Sequence, residues 1–199
     1  MDRLSRDAAR TADRAETPRD GAAVDIADDA TDRTIDNRVD DAAAFRRLDH
    51  IALAVRDLEA AVHLFRDVLG FALKRRLQIK GARTGMHSAE MERNGIRFVL
   101  CQGTEPESQV SQLIEHFGVG VAHVALEVDD VEAAVGTLRS RGLSFDTSVI
   151  RGNGLTQAFS SRCANTGMSF ELIHRNGEAG FLEDNVQDLF EQLEQSGKY

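Results

Sequence analysis

The sequence predicts an α+β fold in which two βαβββ modules pair into one curved mixed sheet. This sheet is a half-barrel around a metal cavity, followed by a C-terminal helix. The first observation is an internal repeat, because residues 50–66 align without gaps on residues 123–139 with ten of 17 positions identical. The second is that each copy starts with an apolar run typical of a buried strand and continues with helical spacing. The third is that His50 and His123 occupy matching positions of the repeat.

The first module is predicted over residues 46–104. Its first strand covers Leu48–Val55, and Asp57 stands at the N-cap of a helix that ends near Gly70. Three further runs of strand-forming residues follow this helix. They are predicted at Phe71–Gln78, Thr84–Glu92 and Ile96–Gln102.

The second module, predicted over residues 120–176, repeats this order. Its first strand covers Val121–Val128, and Asp130 is the N-cap of a helix ending near Gly142. Three strands complete the module and are predicted at Ser144–Ile150, Leu155–Ser160 and Ser169–His174. The two half-barrels, placed side by side, can close around a shared cavity on which equivalent side chains converge.

The modules are predicted to form a single domain over residues 46–199. Residues 105–119 contain a linking helix, and residues 177–199 contain an amphipathic closing helix at Asn185–Ser196. Residues 1–45 carry 12 Asp and Glu and seven Arg, with few large apolar residues. Such a composition cannot offset the cost of ordering the backbone and predicts a disordered tail.

Composition and charge exclude several classes of protein. The net charge of −9 argues against nucleic-acid binding, which needs clustered Lys and Arg. No apolar run is long enough to span a membrane, and the N-terminus lacks the apolar core of a secretory signal. Two cysteines are too few for a disulfide framework, so we expect a cytoplasmic protein.

Two histidines and one glutamate predict a metal site. His50 shares a strand face with small alanines, and Glu171 lies in an otherwise apolar strand where an unpaired carboxylate is costly. A cation held by His50, His123 and Glu171 satisfies all three groups. Alignment of the last strands places Val99 opposite Glu171, so the site has three protein ligands and open positions. Two His and one carboxylate with open positions are typical of non-haem Fe(II) oxygenases.

These residues resemble the vicinal oxygen chelate superfamily over residues 46–199. Three stretches are most similar to the catalytic C-terminal half of the 4-hydroxyphenylpyruvate dioxygenase family; they are residues 108–131, 154–159 and 169–194. The resemblance implies an Fe(II)-dependent dioxygenase that binds a small-molecule 2-oxo acid and dioxygen. Co, Ni and Zn are the alternative metals. A first-module edge strand could mediate a homodimer.

The resemblance also implies roles for pocket residues. Gln157 is a polar pocket residue, Phe181 an aromatic wall, and Asn185 part of the closing helix pattern. Phe190 is expected to pack in that helix, and Ser88 is a weaker pocket candidate. The sequence departs from the family where Val186 replaces a second Phe and Cys101 a polar Asn, which puts an aromatic substrate in doubt.

Two other functions stay open at this point. A methylmalonyl-CoA epimerase-like or glyoxalase-like isomerase or lyase would use a metal as Lewis acid, with Glu90 as a conceivable base. Such enzymes generally take a fourth ligand where this chain has Val99. A binding protein that sequesters an antibiotic would usually lack the metal ligands altogether.

Overall fold

The structure, a computed structural model, describes residues 44–81, 83–152, 154–177, 187, 191 and 192. Its described strands form one eight-stranded curled sheet in the order β2-β3-β4-β1-β5-β8-β7-β6, which confirms the predicted half-barrel. In the first module the strands are β1 Arg47–Ala54, β2 Ala72–Lys80, β3 Gly85–Arg93 and β4 Ile96–Gly103. In the second they are β5 Gly120–Glu127, β6 Ile150–Gly152, β7 Leu155–Phe159 and β8 Phe170–Arg175.

The sheet order is symmetric about its centre. The two first strands, β1 and β5, pair antiparallel, and each pairs on its other side in parallel with the last strand of its own module. The remaining strands continue outward through antiparallel pairs, from β4 to β2 and from β8 to β6. The sequence repeat is therefore a structural pseudo-twofold, with β1 and β5 at the centre of one continuous sheet.

Three helices flank the sheet in the described part of the chain: α1 (Leu58–His63), α2 (Gln109–Phe117) and α3 (Val131–Ser140). Helix α1 continues into a π-helical turn over Leu64–Val68, which the sequence did not predict. The predicted N-caps are confirmed, because Asp57 accepts a hydrogen bond from the Ala60 amide and Asp130 from the Ala133 amide.

Each module packs its own helix against the outer face of the sheet. Buried apolar side chains of α1 contact strands β3 and β4, and those of α3 contact β7 and β8. A third buried cluster lies on the concave face and includes Ala52, Val99, Ala125 and Ile173. Helix α2 packs against part of this face through Val110, Leu113 and Ile114, and the remainder of the concave face is open to a ligand.

Two differences from the predicted elements stand out. The prediction of a strand at Ser144–Ile150 is wrong for most of that range, because the observed strand covers only Ile150–Gly152. Earlier in the range, Phe145 makes an isolated bridge to Ser160. The closing helix at Asn185–Ser196 lies almost wholly outside the described residues, as does the tail. No helix in the described part of the chain combines the length and apolarity needed to cross a membrane.

We expect removal of either helix cap to destabilise the fold. The variants Asp57→Ala and Asp130→Ala each leave an unsatisfied amide at a helix start and should lower the free energy of unfolding by about 1 kcal/mol. Urea unfolding followed by circular dichroism measures this change. The control Glu115→Ala removes an exposed carboxylate in the last turn of α2, away from any helix start, and should leave the value within about 0.5 kcal/mol. Equal losses in all three variants would contradict the capping role.

Candidate metal centre

The strand register brings three polar side chains to the same level of the concave face. His50 of β1 is paired with Ala125 of β5, and Ala125 is paired on its other side with Glu171 of β8. His123 of β5 is paired with Ala52 of β1. Because Ala52 and Ala125 are both buried and small, they leave room in front of the two imidazoles.

The donor atoms of these three residues lie close together. The Nε2 atom of His50 is 3.2 Å from Oε2 of Glu171, and Nε2 of His123 is 3.4 Å from the same oxygen. One ligand atom from each residue lies within 4.8 Å of the other two. Two donors that are each about 2.1 Å from one ion, at about 100° to each other, are roughly 3.2 Å apart. The spacing therefore fits a shared metal ion.

Glu171 is the strongest argument for a cation at this position. Its side chain is 1% exposed, and neither carboxylate oxygen has a hydrogen-bond partner among the described residues. Burial alone would raise the pKa of Glu171, but the two neighbouring imidazoles outweigh it and lower the pKa to about 2. A buried, ionised carboxylate without hydrogen bonds is costly unless it binds a positive charge.

The two imidazoles differ in their surroundings. Burial would lower the pKa of His50, but the charge of Glu171 and a hydrogen bond to Asp49 outweigh it and raise the pKa. Burial dominates at His123 and lowers its pKa despite the contact with Glu171. The ring of His123 also packs edge-on against Phe159, with 5.1 Å between ring centroids. A lowered pKa favours the neutral imidazole that metals bind.

A cavity of about 510 Å³, including its open mouth, lies in front of these three residues. Side chains from both modules form its wall, namely His50, Arg75, Leu77, Met86, Ser88, Glu90, Val99, Cys101, His123, Gln157, Phe159 and Glu171. Val99 lines the cavity on the strand equivalent to that of Glu171, so the repeat supplies an apolar side chain there.

The structure places several predicted pocket residues at this cavity. Gln157 is 1% exposed, and Ser88 and Cys101 lie on strands β3 and β4 with their side chains on the wall. Phe181, Asn185, Val186 and Phe190 lie outside the described residues. Their roles stay predictions.

Sequence reasoning missed the cavity positions of Arg75 and Phe159 and the position of Asp49. Arg75 is a half-buried residue of the edge strand β2, where polar residues usually face solvent. The sequence predicts that Phe159 lies in a strand but does not indicate that its ring faces the cavity. Asp49 precedes His50 in the sequence, so strict alternation would place it on the opposite face.

Asp49 is instead buried beside His50 because the strand is irregular at this point. Leu48 pairs with Leu126 and His50 with Ala125, so Asp49 is the extra residue of a β-bulge. Its Oδ1 atom lies 2.9 Å from Nδ1 of His50. Burial alone would raise the pKa of Asp49, but hydrogen bonds from Arg175 and His50 hold it well below its usual range.

Comparison with known proteins identifies a family model and several relatives that are similar to the chain. The sequence model of the Glyoxalase/Bleomycin resistance protein/Dioxygenase superfamily matches residues 47–160. Among curated relatives, 4-hydroxyphenylpyruvate dioxygenase of Pseudomonas aeruginosa is 27% identical, with 78% of this chain and 54% of that protein covered. Hemolysin VllY of Vibrio vulnificus is 26% identical, with 74% and 52% covered. The chain thus spans about half the length of the curated relatives it matches.

Solved structures share the fold. A variant of 4-hydroxymandelate synthase from Streptomyces coelicolor superimposes with a TM-score of 0.67 at 24% identity, covering 76% of this chain and 54% of that one. A variant of methylmalonyl-CoA epimerase from Streptomyces coelicolor, in complex with 2-nitronate-propionyl-CoA, gives a TM-score of 0.56 at 25% identity, covering 66% and 99%. The same half-barrel therefore occurs in proteins named for different reactions.

We expect Glu171→Ala to weaken divalent-metal binding by at least about 100-fold, because loss of a ligand costs more than loss of its supporting partner. Isothermal titration of the apo-protein with Fe(II) under nitrogen, or with Co(II), measures the affinity. The control His63→Ala removes a helix histidine whose side chain is 68% exposed, and it should leave the metal affinity unchanged. Retention of one tightly bound metal ion by folded Glu171→Ala would show that the ligand assignment is wrong.

The two cysteines should differ in reactivity. Burial, together with the charge of Glu171, raises the pKa of the Cys101 thiol to about 12, so this thiol stays protonated at pH 8. A hydrogen bond with Thr166 lowers the pKa of Cys163, whose side chain is half-buried. Iodoacetamide at pH 8 should modify Cys163 alone in the native protein and both cysteines in urea, as peptide mass spectrometry will show. Equal labelling rates in the native protein would contradict this.

Proposed function

The chain belongs to the glyoxalase/bleomycin resistance protein/dioxygenase superfamily, and from that premise we propose that it is a non-haem Fe(II)-dependent dioxygenase acting on a 2-oxo acid. The observation that carries the proposal is the ligand set. One ligand atom from each of His50, His123 and Glu171 lies within 4.8 Å of the others. Val99, the repeat equivalent of Glu171, also faces the cavity but cannot bind a metal. A site with three protein ligands leaves coordination positions for a bidentate substrate and dioxygen.

In this proposal, His50 and His123 hold the metal through Nε2, and Glu171 supplies the negative ligand. Fe(II), when bound, supplies Lewis-acid and redox chemistry towards the 2-oxo acid and dioxygen. The chain's own contribution is to fix the ligands on three central strands of one sheet. The burial of Glu171 keeps its carboxylate away from water and available to the cation.

The cavity wall supports binding of a small organic acid. Leu77, Met86, Val99 and Phe159 make most of the wall apolar, which excludes water from the reacting atoms. Gln157 lies on the second-module wall and offers an amide for hydrogen bonding to the substrate. The first-module wall carries Arg75 and Ser88, which offer a positive charge and a hydroxyl for the distal part of the substrate. Cys101 in place of a polar Asn makes a purely aromatic substrate less well matched.

A metal-dependent epimerase is the second candidate because Glu90 also lines the cavity. Its side chain is 7% exposed, and an ionised carboxylate near a Lewis-acidic metal can remove a proton from a carbon next to a carbonyl. However, Arg97 Nε lies 3.1 Å from Oε1 of Glu90, so this carboxylate is already engaged in an ion pair. The absent fourth ligand and this ion pair both favour the dioxygenase.

The proposed reaction is tested by anaerobic reconstitution with Fe(II), followed by oxygen-electrode assays with a panel of 2-oxo acids. We expect oxygen uptake with at least one acid and release of carbon dioxide in equal amount. Glu171→Ala should reduce uptake to background. No uptake with any acid, combined with deuterium exchange on an acyl-CoA in the presence of Co(II), would contradict the dioxygenase and favour the epimerase.

A variant with a fourth metal ligand at residue 99 distinguishes the dioxygenase from the epimerase further. Val99→Glu adds a carboxylate where the repeat places a ligand strand, so we expect metal binding to persist while oxygen uptake falls by at least about tenfold. The control Val99→Leu keeps the wall apolar and should retain most of the uptake. Full oxygen uptake in metal-loaded Val99→Glu would show that the open position is not used.

A further inference from the structure

The strongest unexplained feature of the structure is a cluster of buried charged groups beside the metal site. It consists of Asp49, Glu90, Arg97 and Arg175, whose side chains are 0%, 7%, 15% and 6% exposed. Buried charged groups destabilise a fold unless they form ion pairs with each other or bind a ligand. The roles given above to the metal ligands leave this cluster without a function.

Asp49 is the centre of the cluster. Arg175 donates to both of its oxygens, through Nε at 2.9 Å and a terminal nitrogen at 2.8 Å, in a bidentate arrangement. Arg97 approaches Oδ1 at 3.3 Å, and the more exposed Arg47 lies 3.8 Å from Oδ2. The remaining contact of Oδ1 is with Nδ1 of His50 at 2.9 Å. Every polar group around this carboxylate can therefore donate to it.

This arrangement determines which nitrogen of His50 carries its proton. The arginines around Asp49 can only donate, so the 2.9 Å contact between this carboxylate and Nδ1 of His50 is a hydrogen bond when Nδ1 carries the proton, which is also the tautomer that a metal ion at Nε2 requires. The Nε2 atom is then unprotonated, and it is the atom that faces Glu171 at 3.2 Å. The proton position and the ring orientation both suit a metal ligand.

The cluster also connects strands that are not neighbours. Asp49 lies on β1 and Arg175 on β8, with β5 between them in the sheet. Arg175 is on the same strand as Glu171, four residues further along, and alternation places both on the concave face. The Asp49–Arg175 pair thus bridges the two strands that carry a histidine ligand and the carboxylate ligand.

Among the residues that the structure describes, the second module has no equivalent cluster. The repeat aligns Ala122 with Asp49, and Ala122 is likewise the extra residue of a bulge, because Ala52 pairs with His123 and Leu53 with Val121. The bulge is therefore common to both modules, but only the first places a carboxylate there. The backbone irregularity does not by itself explain Asp49.

We propose that Asp49, held by Arg175 and Arg97, is a positioning residue that fixes the His50 imidazole with Nδ1 protonated and Nε2 directed at the metal. The proposal rests on the metal site of the proposed function and adds a residue that acts on it through His50. Asp49 contributes by geometry, since the arginines beside it balance its charge.

The most informative variant is Asp49→Asn. The arginines can only donate and should take the amide oxygen, which leaves the amide NH₂ group facing Nδ1 of His50. We expect the ring proton to move to Nε2, where it blocks the metal. Long-range ¹H–¹⁵N NMR spectra of histidine-labelled apo-protein, at a pH where the ring is neutral, report the tautomer. Co(II) titration should show affinity about 10- to 100-fold weaker.

The matched control is Asp129→Asn, which alters an exposed aspartate that pairs with Arg46 and does not contact a ligand. It should leave both the His50 tautomer and the Co(II) affinity unchanged. A folded Asp49→Asn protein with wild-type affinity would overturn the proposal. So would an Nε2-protonated His50 in the apo-protein of Glu171→Ala, the variant that removes the competing carboxylate at Nε2. Failure of the wild-type protein to bind any metal would instead refute the proposed function, leaving the tautomer measurement valid.

Discussion

The structure depends on one buried carboxylate. Glu171 is buried on the concave face of the sheet, and its carboxylate faces two imidazole nitrogens. Such a group destabilises a fold unless a cation offsets the loss of hydration. The central strand pairs satisfy this constraint because they bring one ligand from each of β1, β5 and β8 to a single point. The proposed metal site therefore depends on the pairing of the two modules.

Much of this arrangement could be predicted because the chain repeats itself. Ten identities in one short window identify the modules, and the matching positions of His50 and His123 imply a shared site once the modules pair. The aspartate caps follow from the same alignment and make equivalent hydrogen bonds. Glu171 was identified because a lone carboxylate in an apolar strand requires a partner. Local spacing and burial were sufficient for these residues.

The residues that sequence reasoning missed depend on long-range irregularities. Asp49 turns towards the cavity side through a bulge, and the position of a bulge is fixed by pairing with a strand more than 70 residues away. Arg75 lies on an edge strand, where sequence alone gives no preference for the cavity over solvent. The short β6 reflects a similar limit, because Ser144–Ile150 has the composition of a strand but pairs over only its last residue and the two that follow.

Symmetry of the backbone and asymmetry of the site have separate causes. Both modules supply a histidine after a bulge, yet the alignment gives Val99 against Glu171 and Ala122 against Asp49. In the proposed metal site, one module therefore carries the carboxylate ligand, and the other carries the carboxylate proposed to orient its histidine. His123 is supported differently, by the ring of Phe159. Because Val99 supplies no ligand, a metal ion held by the other three residues would keep open coordination positions on the side of the first module. Open coordination, rather than the shared fold, distinguishes the proposed reaction from that of an epimerase.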